Sequence, residues 1–341
     1  MLDQTMGLAR RFLDWHRRTR SRPGYRVLGG VLSLGFLAAV VWFIWKQVSG
    51  GYAAVTTAGL SLEPWRLAVS WFCTAAATAL GAWEWVLLVR ALGGQLDLAE
   101  GMSIHLTSNL AKYVPGFIWS YAGKGYLAVR QGVPAGIATV SIAGEFAIVY
   151  ICGALLAVLS LPFSDLISLP LGGRASLQMI AVSAAVLVII GLPPLVRRLA
   201  LRARVTRTQP EPFLSARWPR IAFVMAAVLM TWCLLAFGFS VLYGQPLSGG
   251  WSHLLRHSIA LVGAMLLGQI AFFAPTGVGV REAVLVALLA SQGSAAEVLI
   301  LAVVFRLEMI VGEIVCALVA MLAVRIKSAR NSRSQPNNTN G

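Results

Sequence analysis

The sequence predicts an all-α polytopic membrane protein with about six transmembrane helices and two re-entrant helical hairpins in an inverted repeat. Three observations predict it. Of 341 residues, 58% are hydrophobic and 12% charged, with a mean hydropathy of +0.75, which leaves no room for a large water-soluble domain. Two segments, Asn109 to Gly125 (NLAKYVPGFIWSYAGKG) and Gly268 to Glu282 (GQIAFFAPTGVGVRE), are apolar yet carry charges and a Pro-Gly or Pro-Thr-Gly break. A break at membrane depth is tolerable only where protein or a wet cavity covers the freed backbone, so each segment reads as a hairpin lining an internal site. Finally, three basic tracts fall on one side of the membrane if the broken segments return to the side they entered from.

Taken in order, residues 1–26 carry Arg10, Arg11, Arg17, Arg18, Arg20, Arg22 and Arg26, with Leu2, Met6, Ala9 and Leu13 at helical spacing. This predicts a basic interfacial helix on the cytoplasmic leaflet. Val27 to Val48 is the first span and is too long for a cleaved signal peptide. Its Trp42 and Trp45 suit the far interface. Glu63-Pro64-Trp65 opens a second span to about Arg90, with Pro64 where a helix start needs no N–H. The first broken segment (103–131) follows, then a third span from Pro134 to Leu161, a loop from Pro162 to Gly173 and a fourth span from Ala175 to Val196. A second basic tract contains Arg197, Arg198, Arg202, Arg204, Arg207, Arg217 and Arg220. Ile221 to Tyr243 is the fifth span, 254–292 the second broken segment and Ala295 to Val324 the sixth span. Residues 325–341 read as a basic, polar, disordered cytoplasmic tail. The transmembrane domain is therefore 27–324, with halves at about 65–196 and 219–324 and both termini in the cytoplasm of a plasma-membrane protein.

In this topology the third and sixth spans, each following a broken segment, run in opposite directions. Pro115 with Pro275, Gly132 with Gly293, Glu145 with Glu308 and Cys152 with Cys316 are separated by 160, 161, 163 and 164 positions. That slowly drifting offset is the sequence trace of an inverted repeat.

Other classes are disfavoured. The formal charge of +15 lies in short tracts beside apolar spans, where topology and anionic headgroups explain it better than nucleic acid does. Cys73, Cys152, Cys233 and Cys316 sit singly in hydrophobic runs and read as packing residues. His253 and His257 have a metal-ligand spacing but no acidic third ligand, so no metal and no cofactor are expected. Gly116 to Lys124 departs from a phosphate loop: six residues separate Gly116 from Gly123, and Gly125 replaces the Ser or Thr. With no nucleophile elbow or HExxH motif either, the chain is not expected to be an enzyme.

The candidate site lies at the two breaks. Each should end one half-helix and begin another, whose free N–H groups attract anions near the midplane. The residues that would bind substrate are Lys112, Tyr113, Pro115, Gly116, Lys124, Pro275, Thr276, Gly277, Gly279, Arg281 and Arg306. Glu145, Glu282, Glu308 and Glu313 would balance charge or couple movement to protons. Charges inside spans need partners. Arg306 lies seven residues from Glu313, so an ion pair with Glu313, or with Glu145 across the repeat, is expected. The anions suited to such a site are phosphates or phosphodiesters.

Tyr113-Val114-Pro115-Gly116 and Pro275-Thr276-Gly277-Val278-Gly279-Val280-Arg281-Glu282 are each followed by a helix bearing an acidic or Arg residue. They resemble the transmembrane region of lysylphosphatidylglycerol synthases, which also occurs alone in flippase-like membrane proteins. The likeness covers about 27–324. Thr276 departs from a frequent Pro-Gly-Gly, and Gly123-Lys124 and Glu145-Phe146 depart from the acidic-Arg and Glu-Arg pairs common in the first half. The resemblance implies transfer between leaflets of a membrane lipid with a charged or glycosylated headgroup, of the anionic aminoacyl-phospholipid or polyprenyl-phosphate type. It also implies that the aminoacyl-transferase domain of two-domain relatives is missing, so another enzyme makes the lipid. The alternative is a non-transporting scaffold or accessory subunit of a glycosyltransferase or lipid-synthesis enzyme, docked through the basic loop at 197–220.

Overall fold

Eight α-helices and one 3-10 turn make up the described secondary structure of the computed structural model. It describes residues 63–113, 118–161, 218–244, 251–270, 277, 279–289 and 294–334, all within one unit, Gly51–Gly341. The expected basic helix at 1–26, the spans at 27–48 and 175–196, the loop between them and the tract at 197–217 lie outside the described residues. So do Pro115, Gly116, Pro275, Thr276 and Gly293.

Helix α1 (Pro64–Ala91) starts at its proline and stops at Gly93, whose φ of 92° lets the Gly94 N–H reach back to Val89 O. Asp97 caps α2 (Leu98–Asn109) by accepting from the amides of Ala99 and Glu100. A 3-10 turn (Leu110–Tyr113) ends the first half of the broken segment, and α3 (Ile118–Arg130) forms its second half. After Gly132 comes α4 (Ala135–Ser160). In the second half of the chain, α5 (Trp218–Tyr243) ends at Gly244, and α6 (Trp251–Ile270) and α7 (Val280–Leu289) flank the second break. Ser294 and Glu297 bond reciprocally to each other's backbone amides, a capping box that starts α8 (Ala295–Ser334).

α8 corrects one expectation. The tail expected to be disordered from 325 is helical as far as Ser334, because its Lys, Arg and Ala residues favour helix.

Among the described residues, four helices are long and apolar enough to cross a membrane: α1, α4, Pro219–Tyr243 of α5 and Ala295–Arg330 of α8. The chain is a multi-pass membrane protein. By contrast α2, α3 and α7, with 12, 13 and 10 residues, rise only about 15–20 Å, well short of a hydrocarbon core of about 30 Å.

The helix contacts fall into matched sets. α1 lies along α5. Within each half, α1 meets α2 as α5 meets α6, α2 meets α3 as α6 meets α7, α3 meets α4 as α7 meets α8, and α1 meets α4 as α5 meets α8. Between halves, α1 meets α8 as α5 meets α4, and α2 meets α8 as α6 meets α4. The central pair is antiparallel: Gly238 faces Ser70 and Cys73, whereas Thr231 meets Glu84 and Phe223 meets Trp83. Small residues allow the approach, as expected where lipid supplies no hydrophobic drive between helices. A side chain at Gly238 would put its Cβ 2.9 Å from that of Cys73. Cys152 and Cys316 are free thiols that point at carbonyls of the other half, Met225 O at 3.8 Å and Ala75 O at 3.5 Å.

Candidate functional site

The chain entering the first break and the chain leaving the second meet at α8. Lys112 and Tyr113 both bond Glu313: the ammonium pairs with Oε1, and the phenol donates to Oε2 at 2.8 Å. Tyr113 and Glu313 are buried, while Lys112 is half-buried and lies over the Tyr113 ring. About two turns away along α8, Arg306 Nη1 donates to Glu282 Oε1 at 2.6 Å, and the other carboxylate oxygen of Glu282 accepts the Gly279 N–H at 2.8 Å. The ion pairs expected from spacing are therefore corrected. Arg306 takes Glu282 in place of Glu313 or Glu145, because α7 lies against α8 and offers a carboxylate at shorter reach.

Arg281 is different. Among the described residues no hydrogen bond or ion pair reaches it, and its Nε is buried without a partner. It lies within electrostatic reach of Arg306, Glu282, Tyr113 and Glu313. Two glycines place it. Gly277 has a φ of 69°, and a Cβ there would run into the backbone of Gly268, with Gly268 Cα at 2.7 Å. In turn a Cβ on Gly268 would lie 2.7 Å from Arg281 Nε, so the missing side chain makes room for the arginine stem. Gly279, at φ 85°, completes the turn into α7. A cavity of about 30 Å³ beside Arg281, Glu282 and Arg306 is lined also by Leu261, Met265 and Phe305, and has room for water alone.

Lys124 lies elsewhere. It is 1% exposed, and its ammonium reaches Glu145 Oε1 at 3.1 Å, Glu145 Oε2 at 2.8 Å and His105 Nδ1 at 3.2 Å, over the ring of Trp85. Those contacts use all three of its donors. Since an ammonium only donates, His105 Nδ1 accepts from Lys124, and His105 Nε2 lies 3.0 Å from Asn109 Nδ2. Glu308 is held by Ser70, whose hydroxyl donates to Oε2 at 2.5 Å, and its Oε1 is buried without a partner. Glu84 accepts from Thr231 at 2.5 Å. His257 meets Ser240 Oγ at 3.0 Å and stacks near Tyr243.

The model of the lysylphosphatidylglycerol synthase TM region matches residues 27–316, which include every described element up to the middle of α8. The chain belongs to that family. A comparison with curated proteins found no match. Within this lysylphosphatidylglycerol synthase-type region, the described motif residues and the two charged residues that depart from the family pattern occupy separate places. Tyr113, Gly277, Gly279, Arg281 and Glu282 surround the meeting point at α8. Lys124 and Glu145 form a sealed pair in the first half. Sequence reasoning missed His105, Ser70 and Thr231, each the hydrogen-bond partner of a buried charged residue. No short spacing betrays them, since Ser70 lies 238 positions from Glu308 and Thr231 lies 147 from Glu84.

Proposed function

We propose that the protein is a flippase-like transporter that moves a lipid with a charged or glycosylated headgroup between membrane leaflets, and that it catalyses no covalent reaction. The Arg281 Nε, buried without a hydrogen-bond partner among the described residues, carries this reading. A cationic side chain held inside a membrane protein is costly, and one with an unused donor points to an anion path. Among the described residues, Lys112, Arg281 and Arg306 lie close to Glu282 and Glu313, three cations beside two carboxylates, which favours a phosphate or phosphodiester of the aminoacyl-phospholipid or polyprenyl-phosphate type. Lys124, with every donor used, plays no part in binding.

The matched helix contacts and the antiparallel α1–α5 pair support an inverted repeat, and the short helices α2, α3 and α7 support two re-entrant hairpins entering from opposite faces. The cavity is too small for a headgroup as it stands. Movement of α6 and α7 against α8 would open it, while acyl chains stay in lipid. Membership of the family supports the lipid substrate class, and the three basic tracts of the sequence favour a plasma-membrane location with cytoplasmic termini.

Transbilayer movement of fluorescent anionic lipid in proteoliposomes is the test. Arg281→Ala should reduce the rate at least about tenfold, the effect of losing one charge-assisted contact. An unchanged rate removes Arg281 from the path. No transport by the parent protein, combined with loss of cellular function on neutralising the tract at 197–220, would favour the accessory-subunit reading.

A further inference from the structure

A second cavity, about 480 Å³, lies away from the two breaks, between α2 and the C-terminal half of α8, with Ala79 of α1 at its back. Well-packed interiors leave few voids larger than a water molecule, so a space of this size is no packing defect and falls within the usual range for ligand sites of about 300–1,000 Å³. Its wall is apolar and built partly of small residues, Ala99, Ala320 and Ala323 among them. Val315 and Val319 line it and are exposed, so it opens sideways to the bilayer. Along α8 it runs from Val315 to Lys327, about 18 Å of helix, against about 15 Å for one leaflet of the hydrocarbon core. An ion pair stands at one end only: Lys327 Nζ meets Asp97 Oδ2 at 2.7 Å, while Asp97 Oδ1 caps α2. Asp97 thereby fixes the lysine over the mouth. The ammonium remains half exposed with two donors to spare, and Arg325 and Arg330 are exposed on the same stretch of helix.

We propose that this slot holds one acyl chain of an anionic phospholipid from the leaflet at the C-terminal end of α8, with its phosphate on Lys327. The depth fits one leaflet, the wall fits a hydrocarbon chain, and the cationic mouth selects the headgroup. This site does not depend on the transport reading: it binds lipid that stays in its own leaflet, and it shares no residue with the Arg281 cavity.

The full chain, released from nanodiscs of equal phosphatidylglycerol and phosphatidylcholine, can be weighed with its retained lipid by native mass spectrometry. One phospholipid per chain is expected, with phosphatidylglycerol favoured about fivefold, as one lysine at an anionic surface provides. Lys327→Gln should keep the lipid and lose the preference. Ala320→Phe should lose the lipid of either class without changing the size-exclusion profile, and Ala323→Trp, at an exposed position, serves if that variant does not fold. Retention unchanged by both slot-filling variants overturns the assignment, as does a preference that survives Lys327→Gln. So does a parent protein that retains no lipid while a cysteine at Ala323 cross-links to another segment of the chain.

Discussion

The two halves place an ion pair at the same joint, between the second half-helix and the helix that follows, but with the charges exchanged. In the first half α3 supplies the cation Lys124 and α4 the acid Glu145; in the second, α7 supplies the acid Glu282 and α8 the cation Arg306. An ion pair thus ties both joints, whereas the sign that each helix contributes is reversed. The surroundings differ more. Lys124 is enclosed by Glu145, His105 and Trp85 with no donor left, whereas the second joint has an additional guanidinium, Arg281, that no described residue bonds. One half has spent its charge on holding itself together, and the other presents charge.

That contrast can be broken experimentally. Glu145→Ala strands a buried ammonium and should lower stability by about 3–5 kcal/mol, read as thermal unfolding in detergent; Lys124→Met with Glu145→Leu should recover most of it. Arg281→Ala should leave stability within about 0.5 kcal/mol, because it removes no bonded contact. If the two single variants lose equal stability, the division between a structural and a presenting half fails.

A smaller effect separates two glycines with similar backbone. Gly132 (φ 89°) has open space where a Cβ would go, whereas Gly277 (φ 69°) has the Gly268 backbone there. Gly132→Ala should cost about 1–2 kcal/mol for conformation alone, and Gly277→Ala roughly twice that, since it must also push α6 away. Equal losses would mean that the turn into α7 is looser than its contact with α6 implies.

The smallest effect is at the surface. The hydrogen bond from Lys327 holds the Asp97 carboxyl below its usual range. The stabilisation is thus present above the unfolded value of about 4 and disappears as pH falls through the lower folded one. Asp97→Asn keeps the cap and should lose up to about 0.5 kcal/mol at neutral pH, with no difference from the parent at about pH 2.

Much of the helix layout was legible from hydropathy, Pro64, and the two breaks, since spans and interruptions are local properties of the chain. The matched offsets pointed to the repeat, and Cys152 and Cys316 do each reach a carbonyl of the other half. Charge pairing was not legible. Arg306 and Glu313 share a helix face by spacing, yet each is captured from the side by α7 or by the first break, and those partners lie 24 and 201 positions away. Lys124 and Arg281 looked alike as cations near a break. Only burial and partners distinguish them, and both depend on which helices come together. His105 offered no signal, being a single imidazole whose neighbours Lys124 and Glu145 arrive from α3 and α4.

The long pairing of α1 with α5 also sets a timetable for biogenesis. Glu84 waits for Thr231, made 147 residues later, which at about 5–20 residues per second leaves it unsatisfied for roughly 7–30 s after synthesis. Glu308 has no such wait, since Ser70 is already in place when α8 is made. The first long helix of the described chain therefore enters the bilayer before its partner exists, and must be sheltered by the insertion machinery or by neighbouring helices until the second half arrives to complete it.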